Sequence, residues 1–274
     1  KPELASIKKK KYDFVITTDI NFPPDVIDEL KKVNDDIYIF DHHHQKKIHG
    51  VHYVNEKYPG CTWVLNEYLK INPCLLGILG IVGDKEEKIL EDDHYASIIN
   101  EVAKENQITF NDLLLMRRYI DSLYMVQDYK NIKNTSKLLA DAPKEVLHDE
   151  NLEKNIQKID NELTKYLEMK PNDIGGNIFE YELKSKFHII SHTTRGLSRK
   201  YPDNIIFIYQ ERDDIVNVYV RKRDRDVNLE KIVDFAKDRK YSAGGKAEVA
   251  GIICPKKDWP EFKKSSSGDS LSWL

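Results

Sequence analysis

Short apolar runs that end in an acidic residue recur through the first third of the chain. "YDFVITTDI" (12–20) is rich in strand-favouring residues and closes on Asp19, and "DIYIFD" (36–41) repeats the pattern and closes on Asp41. Between them "FPPDVIDELKKVN" (22–34) places prolines just ahead of a helical pattern, where they start a helix but cannot continue one. "CTWVLNEYLKI" (61–71) predicts another helix, and "LLGILGIVGD" (75–84) is a further buried apolar segment, ending in Asp84. Strands alternating with helices predict an α/β domain built on a doubly wound parallel sheet. Ligands of such sheets collect beyond the carboxyl ends of the strands. Asp19, Asp41 and Asp84 are expected at ends of that kind.

From about residue 92 to 170 the periodicity is helical. "NLEKNIQKIDNELTKYLEMK" (151–170) puts Leu152, Ile156, Ile159, Leu163 and Leu167 on one stripe, as a helix packed against a core requires. "KPNDIGGN" (170–177) ends it. A second, smaller mixed α/β unit follows: "IFEYELK" (178–184), "NIIFIYQE" (204–211) and "IVNVYVRKR" (215–223) read as strands, and "VNLEKIVDFAKDRK" (227–240) as a helix. "SAGGKAEVAGIIC" (242–254) reads as a glycine-rich loop leading into a last strand. The expected organisation is an α/β domain over 1–135, a helical connector over 136–173, a smaller mixed α/β domain over 174–264, and a flexible tail over 265–274. The apolar end of that tail (Leu271, Trp273, Leu274) reads as an inert terminus, with a docking peptide as the alternative.

Composition narrows the class. With 40% hydrophobic residues in a chain of 274, two modest cores are within reach. No apolar run approaches the roughly 20 residues that cross a bilayer, and "KPELASIKKKK" lacks the apolar centre of a secretory signal. Three cysteines without metal spacing (Cys61, Cys74, Cys254) fit reduced thiols, so a cytoplasmic location and no membrane partner are expected. The net charge of −3 is unevenly spread: residues 215–264 hold 13 Lys and Arg against 8 Asp and Glu, and the remainder is acidic. One end is therefore suited to anions and the other to cations, unless both are ordinary solvated surfaces.

The chemistry is concentrated in "YIFDHHHQKK" (38–47), where a strand closes on an acid followed by three imidazoles. Mn²⁺ and Mg²⁺ prefer carboxylate oxygens, and Mn²⁺ also takes neutral imidazole. A two-metal phosphoesterase needs ions about 3.5–4 Å apart and rigidly held ligands. Neighbouring strand tips about 4.8 Å apart provide such rigidity. Singly, Asp19 is explained as a loop acid or cap, Asp84 as a cap for the next turn, and the histidines as solvated. Their joint placement argues instead for a metal centre. His44 is expected to be solvated, and the histidines elsewhere lack this context. Among those His192 stands out, because "SHTTRG" opens a helix in the basic region.

"DFVITTDI", "IYIFDHHH" and "ILGIVGD" resemble the second, third and fourth motifs of the DHH phosphoesterase superfamily, in order and at familiar spacing. "VYVRKR" and "SAGGKAEVAG" resemble the arginine-bearing strand and glycine-rich loop of the DHH-associated C-terminal domain. Through "GIVGD" the chain looks most like RecJ-type nucleases and the archaeal GINS-associated nuclease. The resemblance implies a two-ion site of Mn²⁺ or Mg²⁺. Asp19 would bridge the ions, His42 and Asp84 would be ligands of one of them, and His43 would face the scissile phosphate. Asp41 would orient the histidines by accepting from their rings. Arg221 would fork onto a phosphate, Lys222 and Arg223 would extend the positive surface, and Gly244, Gly245 and Lys246 would form an anion-binding turn. The bland alternatives are an exposed charged strand edge and a plain tight turn.

Two departures from that family pattern matter. Its opening His-x-Asp-x-Asp strand tip, which supplies ligands of the other metal, is not in this sequence, and truncation is the expected reason. The glycine loop of relatives usually ends in histidine, where this chain has Lys246. The expected function is a metal-dependent phosphodiesterase that hydrolyses single-stranded DNA or RNA from an end. The alternatives are a phosphoesterase for small nucleotides such as short oligonucleotides, pAp or cyclic dinucleotides, and a catalytically degenerate replisome scaffold. The implied partners are single-stranded nucleic acid or a short oligonucleotide, together with replisome proteins such as GINS.

Overall fold

The computed structural model describes residues 12–20, 22, 24–43, 47–223 and 228–265. His44 and the residues 266–274 of the expected tail lie outside the described residues. Two units emerge, one from Lys1–Ile120 with Lys133–Asp149 and the other from Asp121–Ile132 with Glu150–Leu274.

In the first unit, β1 (Val15–Thr18) and β2 (Ile37–Asp41) pair in parallel, from Val15 beside Ile37 to Thr18 beside Phe40. Helix α1 (Pro24–Lys31) joins them, with proline in its first turn, Asp25 near its amino end and Lys31 near its carboxyl end, each where the helix dipole favours it. Ile27 and Leu30 of α1 bury against Val15, Ile37 and Ile39. A third strand, β3 (His52–Asn55), pairs in parallel with β2 and puts β2 in the middle of the sheet. Sequence patterning does not reveal β3, because its four residues "HYVN" are only partly buried and hold no apolar run.

The segment ending in Asp84 requires a correction. It is no strand: Leu75–Lys85 forms helix α3, so Asp84 stands at the carboxyl end of a helix. A ten-residue apolar run is ambiguous between the two states, and here the glycines decide. α3 lies against α2 (Cys61–Leu69) so closely that a β-carbon on Gly80 would come within 2.2 Å of the Thr62 side chain. The Thr62 hydroxyl donates to the Gly77 carbonyl at 3.0 Å, and Ile78, Ile81 and Val82 are fully buried. A 3₁₀ turn (Glu86–Glu91) leads to α4 (Asp93–Glu105), whose cap Asp92 accepts from the backbone N–H of His94 and Tyr95. Helices α5 (Phe110–Met125) and α6 (Tyr129–Asp141) follow. The helical stretch read as a connector is shared: its part up to Asp149 belongs to the first unit and the rest to the second.

The main part of the second unit opens with α7 (Glu150–Glu168), whose predicted stripe packs as expected through Leu152, Ile159, Leu163 and Leu167. Its sheet comprises β4 (Asn172–Asp173), β5 (Ile178–Glu182), β6 (Ile205–Arg212), β7 (Ile215–Arg221), β8 (Ser242–Lys246) and β9 (Val249–Pro255). Their order is β4-β5-β6-β7-β9-β8, with β5 and β6 parallel and every other pair antiparallel. The parallel pair is bridged by α8 (Ile190–Lys200). Alternation along β6 sends Ile206 and Ile208 toward α8 and Phe207 toward the opposite core, which α9 (Glu230–Asp238) and α10 (Trp259–Ser265) cover. The glycine-rich stretch is a second correction. It forms the β8–β9 hairpin, turning through Ala247 and Glu248 alone, rather than a loop. Among the described residues no helix is long and apolar enough to cross a membrane.

Candidate metal centre and nucleic-acid interface

Four of the expected side chains converge in the first unit. Asp19 follows β1 in the left-handed backbone region, φ 59°, which aspartate tolerates better than bulky or β-branched residues do. Its N–H donates to the Phe40 carbonyl at 2.9 Å, tying the tip of β1 to β2. His42 leaves the end of β2, and its Nε2 lies 3.2 Å from Asp19 Oδ1 and 3.6 Å from Asp84 Oδ2. His43 Nδ1 is 3.8 Å from the same Asp19 oxygen. Donor atoms of Asp19, His42 and His43 all fall within 4.8 Å of one another.

The imidazoles are held by different partners. His42 Nδ1 sits 3.3 Å from the Tyr58 carbonyl, and a carbonyl can only accept, so that nitrogen carries the proton. Nε2 is buried and without a hydrogen-bond partner among the described residues, turned toward the two carboxylates. Asp41 is fully buried, and its Oδ1 accepts from the backbone N–H of His42 at 2.7 Å and of His43 at 3.1 Å. The same oxygen takes His43 Nδ1 at 2.7 Å. Asp41 thus sets the loop and the ring of His43, whereas the ring of His42 is set by Tyr58, contrary to the expectation that Asp41 would orient both. No side-chain pattern signals a carbonyl, so Tyr58 was invisible in the sequence. Asn55, at the tip of β3, donates to the His43 carbonyl at 2.9 Å and steadies the loop from the other side.

Asp84 is brought in by the α2–α3 contact. Gly60, the residue before α2, has extended backbone (φ −166°) and needs no glycine for conformation. It needs one for space: a β-carbon there would lie 2.8 Å from Asp84 Oδ2. Burial pushes the Asp84 carboxyl upward, and the charge of Asp19 adds to that, against the opposing pull of His42, Lys85 and His43. Beyond it the chain reverses at Glu86, φ 53°, whose carboxylate pairs with Arg117 at 2.9 Å. Cys61 donates to the Phe40 carbonyl at 3.2 Å and burial pushes its thiol to about 11, which makes it an inert packing group.

The basic residues lie in the second unit. Arg221 ends β7 between Ile206 of β6 and Val249 of β9. Burial holds its guanidinium below the usual range, and Arg195 and then Arg199 of α8 push the same way while Glu248 opposes. The charges of Arg195 and Arg199 thus reach Arg221, and both were missed in the sequence because "TTRGLSRK" reads as an ordinary polar helix face. Lys246 is committed to Glu248 at 2.9 Å, and Lys222 donates to the Asp203 carbonyl. Arg223 is exposed. A β-carbon on Gly245 would sit 2.2 Å from the Val249 carbonyl oxygen, so close strand approach accounts for that glycine, whereas Gly244 faces open space.

No family model and no curated protein matches the sequence. Solved structures do match in fold. A manganese-bound exonuclease RecJ superposes with a TM-score of 0.63 over 100% of this chain and 79% of its own, at 14% identity. RecJ of Thermus thermophilus, in complex with Mn²⁺, gives 0.62 over 96% of this chain and 45% of its own, at 15% identity. The DHH domain of a member of the s1p family of ribosomal proteins gives 0.63 over 92% and 68%, at 16% identity. This chain therefore spans less than half the length of the Thermus protein. At such identities the likeness is one of fold, and the chain has the DHH fold that RecJ also has.

Proposed function

We propose that this chain is a divalent-metal-dependent phosphodiesterase that hydrolyses single-stranded nucleic acid, working inward from an end. One observation carries the reading: the buried Nε2 of His42, without a hydrogen-bond partner among the described residues, faces oxygens of Asp19 and Asp84. Two carboxylates and an imidazole nitrogen that converge in this way form a donor set that suits Mn²⁺ or Mg²⁺. The hydrogen bond from His42 Nδ1 to a carbonyl is the usual outer support of a ligating imidazole. RecJ, with the same fold, is an exonuclease that binds manganese.

Asp19, His42 and Asp84 would hold the ion, with Asp19 able to reach a second. A bound ion supplies Lewis acidity, which acidifies a water and offsets charge growing on a phosphoryl oxygen. His43, with Nδ1 pinned on Asp41, keeps Nε2 for a proton shared with the substrate phosphate. Asp41, fully buried, fixes the loop and holds the ring of His43. In the second unit Arg221, backed by Arg195 and Arg199, would grip the phosphate backbone.

The test is digestion of end-labelled single strands with Mn²⁺, run beside a thermal-shift titration with the ion alone. Asp19→Ala should lose activity by at least about 100-fold and abolish the stabilisation by Mn²⁺. Cleavage by Asp19→Ala at the wild-type rate, or no response of the wild type to Mn²⁺ in either assay, would rule the reading out.

A further inference from the structure

The second unit holds a cavity of about 610 Å³ on the face of its sheet that carries Tyr219, reaching from Gly244 and Gly251 to Arg212, His188 and Tyr124. Its floor has an unusual form. Tyr219 of β7 is in register with Gly251 of β9, and Gly251 with Gly244 of β8. Two glycines therefore follow one tyrosine across three strands. A β-carbon on Gly251 would touch the Tyr219 ring at 3.4 Å, and one on Gly244 would meet nothing within 4 Å. The ring of Tyr219 thus borders a slot floored by bare backbone, a shape that accepts a flat group.

The far end is rigid and aromatic. Arg212 contacts His188 Nε2 at 2.8 Å and donates to the Phe187 carbonyl at 2.7 Å. A guanidinium can only donate, so His188 Nε2 is an acceptor and the imidazole is neutral. The ring of Tyr124 lies 5.0 Å from that of His188 and is more than half exposed. Asn217 offers an amide on the wall between the two ends. Among the described residues no aspartate or glutamate lines the cavity, although the chain carries 46 of them, and the wall includes a fixed guanidinium. On β7 the cavity runs from Tyr219, two residues before Arg221, to Ile215, about 20 Å from Arg221 along an extended strand.

We propose that this cavity is a base-binding subsite, in which the Tyr219–glycine slot and the Tyr124 ring stack nucleobases of a single strand whose backbone passes Arg221. It rests on the nucleic-acid reading above and deepens it. Recognition would come from stacking and amide contacts rather than from phosphate charge alone, so the favoured ligand is a strand of several nucleotides, not a lone phosphate ester.

The experiment compares two ligands of equal length, oligothymidylate and the same sugar–phosphate chain without bases, binding the full chain in EDTA. Wild type should prefer the base-bearing strand by about tenfold or more, the range expected for one stacked base. Gly244→Val, whose β-carbon meets nothing within 4 Å, and Tyr219→Ala should remove that preference, and Tyr219→Phe should keep it. Melting curves confirm that each variant is folded. Equal affinity of wild type for both strands, no binding of either, or full preference retained by Gly244→Val would overturn the subsite. Cleavage with Mn²⁺ but without base preference would sink the subsite and leave the phosphodiesterase standing. Base preference without cleavage would do the reverse.

Discussion

Gly60 and Asp84 are packed so that a β-carbon on the glycine would lie 2.8 Å from the carboxylate oxygen Oδ2 and 3.3 Å from the Ile81 Cα. The second contact is with helix backbone, which cannot swing aside, so the carboxylate must yield. Gly60→Ala is therefore expected to push Asp84 away from His42 while leaving the unit folded. Mn²⁺ affinity by calorimetry should fall by about 10–100-fold, the usual cost of disturbing a ligand's support. Unchanged affinity would mean that Asp84 is no ligand.

Much of this centre was legible in the sequence. Asp19, Asp41, His42 and His43 follow apolar strands, and period-2 patterning locates strand ends well. Asp84 was identified by its residue type and by resemblance, but its element was misjudged, since "LLGILGIVGD" is apolar on all sides and has no period to read. What patterning could not supply were backbone partners and spatial gaps. The Tyr58 carbonyl has no side-chain signature, and the glycine at 60 is explained only by a neighbour 24 positions away. The same limit hid the Arg195–Arg199–Arg221 cluster, which joins a helix to a strand that the chain order separates.

A pH dependence follows from His188. Burial, and next the charge of Arg212, hold its imidazole below the usual range. The groups facing it are Arg212, which donates to it, and Tyr124, whose ring lies tilted against it at 5.0 Å. Because the folded value lies below the unfolded one, near 6.5, the unfolded chain binds the proton more readily. The stabilisation is complete above that value and declines as pH falls through it toward the depressed folded value. The urea midpoint should therefore drop between about pH 7.5 and 5.5, and His188→Gln should make that drop shallower. An unchanged slope in the variant would assign the dependence to other groups.

The two glycines of β8 should behave in opposite ways. A side chain on Gly245 would press on the Val249 carbonyl oxygen and the Ala250 Cα, both backbone of the partner strand. Gly245→Ala should then cost about 1–3 kcal/mol by overpacking. Gly244 has free space and an ordinary backbone, so Gly244→Ala should stay within about 0.5 kcal/mol of wild type. Denaturant melts of both variants decide this, and equal losses would show that the hairpin is not tightened at Gly245.

Arg221 and Lys246 were both expected to hold phosphate, but their surroundings differ. The Lys246 ammonium pairs with Glu248 at 2.9 Å, and this hydrogen bond is the main reason the Glu248 carboxyl lies below its usual range. Neutralised in that way, Lys246 releases few counterions when a strand binds. Arg221 is half-buried and feels the like charges of Arg195 and Arg199, so it gains most from an arriving anion. In binding titrations over a range of salt, Arg221→Ala should flatten the plot of log affinity against log salt by about 0.7, one single-strand phosphate contact. Lys246→Ala should change the slope by less than half as much, and Arg221→Lys should recover the charge without the fork and only part of the affinity. If Lys246→Ala flattened the slope as strongly as Arg221→Ala, the ion pair with Glu248 would not survive substrate binding, and the hairpin tip would be a phosphate contact in its own right.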